Sequence, residues 1–88
     1  MKLRIRRRAR KELLDIDDDA TFFELVKAML DLGENPRPRG DDKVEGAGGI
    51  YRVRVGRDWR LLYSIDQQRG ELVIEAVRKK DESTYRQS

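Results

Sequence analysis

The sequence contains neither cysteine nor histidine. Without cysteine there is no disulfide framework, no thiolate nucleophile and no thiolate metal ligand. Without histidine there is no imidazole base and no zinc site of the usual Cys/His type. Serine, cysteine and histidine-dependent mechanisms that turn on those groups are excluded. Acid–base chemistry near neutral pH is left to Lys, Tyr, Asp and Glu, with Arg as fixed charge. Long apolar runs are also missing: none approaches the ~18 residues of a membrane span, and the basic segment 2–11 is not followed by a signal-peptide apolar stretch. A cytoplasmic protein without membrane association is therefore expected. At 88 residues the chain has length for one domain, residues 1–88, and too little for a large enclosed cavity, so a site should be an open groove.

Charge is abundant. Charged residues make up 42% and apolar ones 38%, a balance that would point to disorder if the apolar residues did not fall in periodic blocks. The net charge of +3 conceals segregation. Lys2, Arg4, Arg6, Arg7, Arg8, Arg10 and Lys11 open the chain; Asp15, Asp17, Asp18, Asp19, Glu24 and Asp31 follow; Arg52, Arg54, Arg57, Arg60, Arg78, Lys79 and Lys80 come last. Clustered Arg and Lys are the electrostatic footprint of a protein that meets phosphates.

Residues 2–6 alternate basic and apolar side chains, the period of a half-buried strand. Helix formers in 7–14 predict a short helix. A second helix is predicted over 19–32, with Thr21 and Glu24 as a capping box, Phe22, Leu25, Val26, Met29 and Leu30 at helical spacing, and Gly33 as C-cap. Prolines and glycines between residues 35 and 49 predict a long loop. Residues 50–55 and 58–65 alternate as strands about Gly56-Arg57, where glycine fits the first central position of a type II′ hairpin turn. Residues 71–77 form the most apolar strand, and 80–86 a polar tail. The order β-α-α-β-β-β predicts an α+β fold, a small antiparallel sheet with two N-terminal helices packed on one face.

Side-chain parity then sorts the strands. Tyr51, Val53 and Val55, then Trp59, Leu61, Tyr63 and Ile65, then Leu72, Ile74 and Ala76 should face the helices. Arg52, Arg54, Arg60, Glu75 and Lys79 are left for the uncovered face. Like charges across strands destabilise a sheet. Three arginines with only Glu75 in reach thus point to an anionic ligand, and the planar guanidinium fork suits phosphate.

The segment Asn-Pro-Arg-Pro-Arg-Gly from Asn35, the stretch Gly-Ala-Gly-Gly-Ile-Tyr-Arg-Val-Arg-Val-Gly-Arg-Asp-Trp-Arg-Leu-Leu-Tyr ending at Tyr63, and the ending Val-Arg-Lys-Lys-Asp-Glu-Ser-Thr-Tyr-Arg closely resemble the RelE/ParE superfamily of bacterial and archaeal toxins. The resemblance covers essentially the whole chain. RelE-like members cleave messenger RNA on the ribosome, whereas ParE-like members inhibit DNA gyrase on the same fold. For a RelE-like enzyme the resemblance implies that Arg52 and Arg54 surround the substrate backbone, Arg60 stabilises the scissile phosphate, Lys79 or its neighbour Lys80 acts as acid, and Tyr85 contacts substrate and assists proton removal. Arg54, Arg60, Lys79 and Tyr85 form the implied catalytic set, and Arg52, Arg54, Arg57, Arg78 and Lys80 the substrate-binding set. Arginines stand on the second strand where the best-known members have lysines, and they cannot readily serve as a base. The implied reaction needs no metal or cofactor: a 2′-hydroxyl attacks the adjacent phosphate, with Tyr85 or Glu75 taking the proton.

Three functions follow as alternatives: a ribosome-dependent messenger RNA endoribonuclease, a non-enzymatic gyrase inhibitor, and a non-catalytic RNA-binding module. Either toxin reading implies a cognate antitoxin that covers or distorts the basic face, with a toxin–antitoxin heterotetramer as one assembly. The nuclease reading adds the ribosome and messenger RNA as partners. The basic cluster from Arg4 to Arg10 is placed against ribosomal RNA on that reading.

Overall fold

A computed structural model describes residues 1–36, 42–43 and 48–80. The elements are β1 (Lys2–Ile5), α1 (Arg7–Leu14), α2 (Asp19–Glu34), β2 (Asp42–Lys43), β3 (Tyr51–Val55), β4 (Trp59–Asp66) and β5 (Glu71–Lys79). The expected α+β order holds, with β2 as an added short edge strand. The sheet runs β1-β5-β4-β3-β2. No helix among the described residues is long and apolar enough to cross a membrane.

The sheet is mixed where the sequence predicted antiparallel pairing alone. β1 lies parallel to β5, with Leu3 opposite Leu72 and Ile5 opposite Ile74. That register puts the apolar phase of β1 on the apolar phase of β5, so Leu3 and Ile5 pack on the core rather than into water. The two helices lie between β1 and the strands that follow, giving the chain the long crossover a parallel pair requires.

The core joins Ala9 and Leu13 of α1, Leu25, Met29 and Leu32 of α2, and Val55, Leu61, Tyr63, Leu72, Ile74 and Val77 of the sheet. Leu25, Met29 and Leu32 recur at i, i+4 and i+7 and are nearly inaccessible, which is the stripe a helix needs to cover a sheet. Helix α2 starts where expected, but its cap is Asp18. The Asp18 carboxylate accepts from the Thr21 backbone N–H at 3.0 Å and the Thr21 hydroxyl at 2.5 Å. Thr21 therefore sits inside the first turn instead of capping it. Gly33 is likewise not a C-cap: it is buried in the last turn, its carbonyl accepts from the Met1 ammonium at 2.9 Å, and Asn35 ends the helix.

The β3–β4 turn holds three residues rather than two, since Val55 pairs with Trp59 across Gly56, Arg57 and Asp58. Gly56 has φ +64°, the conformation that called for glycine. The third residue ties the turn to β5, because the Asp58 carbonyl accepts from the Lys80 N–H at 2.5 Å.

Candidate nucleic-acid interface

The decisive local feature is in β5. Leu72 pairs with Ile65 and Ile74 with Tyr63, but Ala76 pairs with Leu62, so Glu75 is an extra residue and the ladder shifts between Leu62 and Tyr63. A β-bulge of this kind inverts the facing of everything beyond it. Ala76 accordingly leaves the helix-facing side, and Val77 takes its place in the core. The expected face assignment of Lys79 is inverted as well. Lys79 lies opposite Trp59, with its ammonium 5.9 Å from the indole centroid, while Arg78 moves into register with Arg60.

Three arginines thus form one row across three strands: Arg54 opposite Arg60, and Arg60 opposite Arg78. Arg52 lies one position along the same face of β3, opposite Leu62. Arg54 is exposed, while Arg60 and Arg78 are half-buried. Among the described residues Arg54 and Arg60 take part in no ion pair. Arg57 is exposed at the tip of the hairpin, and Lys80 is exposed just past β5. Tyr85 lies outside the described residues.

Glu75 does not neutralise this row. Its carboxylate is held by the Arg6 Nε at 2.8 Å and by the Ser64 hydroxyl at 2.7 Å. Glu71 is 3.8 Å from the Arg4 Nε. The open face is therefore divided. Toward β1, Arg4 and Arg6 are matched by Glu71 and Glu75; at the other end Asp42 of β2 lies opposite Arg52, and within the row Arg54–Arg60–Arg78 only Arg78 is ion-paired among the described residues, with Glu12 of α1. Arg4 and Arg6 are committed within the sheet, and of the N-terminal cluster Arg7, Arg8 and Arg10 are exposed on α1, Arg8 lying 4.0 Å from the Glu12 carboxylate.

Beside the end of β5 lies a cleft of about 570 Å³ between the α1–α2 connection and the β3–β4 turn. Its acidic wall comes from Glu12, Asp15, Asp17, Asp18 and Asp58, and both Arg78 and Lys79 line it, Lys79 beside Trp59. Trp59 packs against the core as parity required. The Thr21 hydroxyl and backbone N–H hold the Asp18 carboxyl below its ordinary value of 3.8. By register Lys79, opposite Trp59, does not share the face of Arg54 and Arg60.

Sequence reasoning missed the bulge and Glu12. The signal for the first was present: residues 72, 73, 74, 76 and 77 are all apolar, a run that fits neither single phase and is interrupted once, at Glu75.

A two-helix layer on one face of a mixed sheet is the architecture of the small RelE-like toxins. The family model described as ParE toxin of type II toxin-antitoxin system, parDE matches residues 3–83, and the chain belongs to the RelE/ParE toxin superfamily. No curated protein matches it in sequence. Among solved structures it is similar to the RelBE2 toxin–antitoxin complex of Mycobacterium tuberculosis, at 26% identity and TM-score 0.76 over 89% of this chain and 95% of that one. The archaeal RelE–RelB complex from Pyrococcus horikoshii OT3 gives 25% identity and TM-score 0.75 over 91% and 94%. The isolated E. coli RelE toxin gives TM-score 0.78 at 21% identity over 98% and 90%, a likeness of fold.

Proposed function

We propose that this toxin is a ribosome-dependent messenger RNA endoribonuclease. The observation that carries the reading is the Arg54–Arg60–Arg78 row, because a sheet face that keeps three cations in cross-strand register, only Arg78 of them ion-paired among the described residues, suits a run of phosphates. The 2′-oxygen attacks the adjacent phosphorus, the bond to the 5′-oxygen breaks, and a 2′,3′-cyclic phosphate and a 5′-hydroxyl result. Arg60, central in the row, stabilises the added charge on the phosphate oxygens, an effect worth about 3 to 4 kcal/mol for a preorganised donor. Arg52 and Arg54 hold the backbone on one side and Arg78 on the other. Glu75 is engaged by Arg6 and Ser64, which leaves Tyr85 as the group to take the 2′-proton. Strand alternation beyond Arg78 favours Lys80 over Lys79 as the donor to the leaving oxygen.

A second reading, gyrase inhibition without chemistry, is favoured by the description of the family model that matches. Primer-extension mapping on programmed ribosomes, run beside a gyrase supercoiling assay, separates the two. Cleavage by the wild type and none by Arg60→Ala is the expected result; inhibited supercoiling with intact messenger RNA would replace the nuclease by the inhibitor. As a type II toxin it has a cognate antitoxin for partner, and RelB-containing structures are among its relatives. We place that antitoxin over the arginine row, in a heterotetramer, which should protect the row's guanidinium groups from chemical modification.

A further inference from the structure

Glu12 belongs to α1, outside the arginine row, yet its carboxylate meets the Val77 backbone, Arg78 and Arg8. β1 ends at Ile5, opposite Ile74, so the last residues of β5 have no strand on that side. There the Glu12 carboxylate enters as a substitute partner: Oε1 accepts from the Val77 backbone N–H at 2.8 Å, and Oε2 accepts from Nη1 of Arg78. Arg8, one turn back on α1, approaches Oε2 at 4.0 Å. Glu12 is itself placed by the fold, since Ala9 and Leu13 beside it are buried in the core.

We infer that Glu12 is a positioning residue that fixes Arg78 for phosphate recognition; the assignment rests on the nuclease reading of the row. Two observations favour positioning over masking. Among the described residues both hydrogen bonds of Arg78, to Glu12 and to the Val77 carbonyl at 3.5 Å, run through Nη1. The edge formed by Nε and Nη2 is left to bind two phosphate oxygens at once. Second, Glu12 is anchored to the backbone one residue from the arginine it holds. The carboxylate therefore restrains a long side chain that would otherwise have to be ordered by the substrate. It also draws Arg78 toward the free edge of β5, away from the neighbouring charge of Arg60.

Glu12→Gln separates this role from a structural one. The amide oxygen still accepts from Val77, but the amide nitrogen presents donors to a guanidinium that has only donors. Arg78 Nε relaxation in the free protein should show an ordered side chain in the wild type and a mobile one in Glu12→Gln, with melting temperature little changed. Binding of a short 2′-deoxy-substituted RNA, which cannot be cut, should weaken about tenfold, and single-turnover cleavage should slow by roughly ten- to a hundredfold. In an Arg78→Ala background the same substitution should add nothing to either. Arg78 equally ordered in Glu12→Gln, an equal loss in the Arg78→Ala background, or tighter binding on losing the carboxylate would each overturn the assignment. A wild type that cuts no messenger RNA would sink the nuclease reading alone, because the relaxation and oligonucleotide measurements need no catalysis.

Discussion

At the scale of single residues, the chain uses its carboxylates to decide which cations remain available. Glu75 takes Arg6, Glu71 stands by Arg4 and Glu12 holds Arg78, while Arg54 and Arg60 are in no such pair among the described residues. Arg60→Ala is expected to abolish cleavage while leaving thermal stability unchanged or raised by a few tenths of a kcal/mol, because it removes like charges across β3, β4 and β5. A melt run beside the cleavage assay checks both halves. Tyr63 makes a separate case: its ring is fully buried against Tyr51, and its hydroxyl has no hydrogen-bond partner among the described residues. Tyr63→Phe should therefore hold or increase stability, by up to about 1 kcal/mol, in a denaturant titration. Asp18 supplies the acid dependence. Its folded pKa is lowered, so its contribution is complete above the ordinary value of 3.8 and is lost as pH falls through the lower folded value. Asp18→Ala should lower the melting temperature at neutral pH and flatten its decline in acid.

At the scale of elements, the β3–β4 hairpin and the bulged β5 bring the arginines together. Gly56 permits the hairpin: its φ is +64°, and a Cβ there would lie 3.1 Å from the Glu24 Oε1 of α2. Gly56→Ala is expected to cost about 1 to 2 kcal/mol in equilibrium unfolding, from the left-handed backbone alone. The bulge absorbs Glu75, so that Arg78 falls opposite Arg60 despite the extra residue. Deleting Glu75 leaves Ile74 opposite Tyr63 and Ala76 opposite Leu62 in a regular ladder, so the shortened chain should fold with Arg78 still opposite Arg60. It should lose about 1 kcal/mol with the Arg6 and Ser64 contacts. Cross-strand NOEs between Arg60 and Arg78 test this directly, and their absence would show that the extra residue does more than reset parity. The hairpin was legible in the sequence because alternation and Gly56 agree. The face of Lys79 was not, since Arg78 and Lys79 are adjacent cations and one uncounted residue exchanges them.

At the scale of the whole molecule, a protein of net charge +3 presents one concentrated basic end and one acidic cleft. Binding of single-stranded RNA should weaken with salt, and each of Arg54→Ala, Arg60→Ala and Arg78→Ala should lower the slope of log affinity against log salt by about 0.7 if it removes one phosphate contact. Lys79→Ala, on the opposite face beside Trp59, should leave that slope unchanged in the same titration. Composition and periodicity by themselves determined much of this protein: that no thiol or imidazole takes part, that two helices cover one face of a sheet, and that Arg52, Arg54 and Arg60 share the other. Those properties depend on residue chemistry and on periods of 3.6 and 2, which are local. Only the tertiary structure decided that β1 lies parallel to β5, that Glu75 is an extra residue in the ladder, that Arg78 and not Lys79 completes the row, and that Glu12 holds it. Each of these depends on pairing between segments far apart in the chain, where register is chosen by how apolar faces and backbone donors are satisfied together.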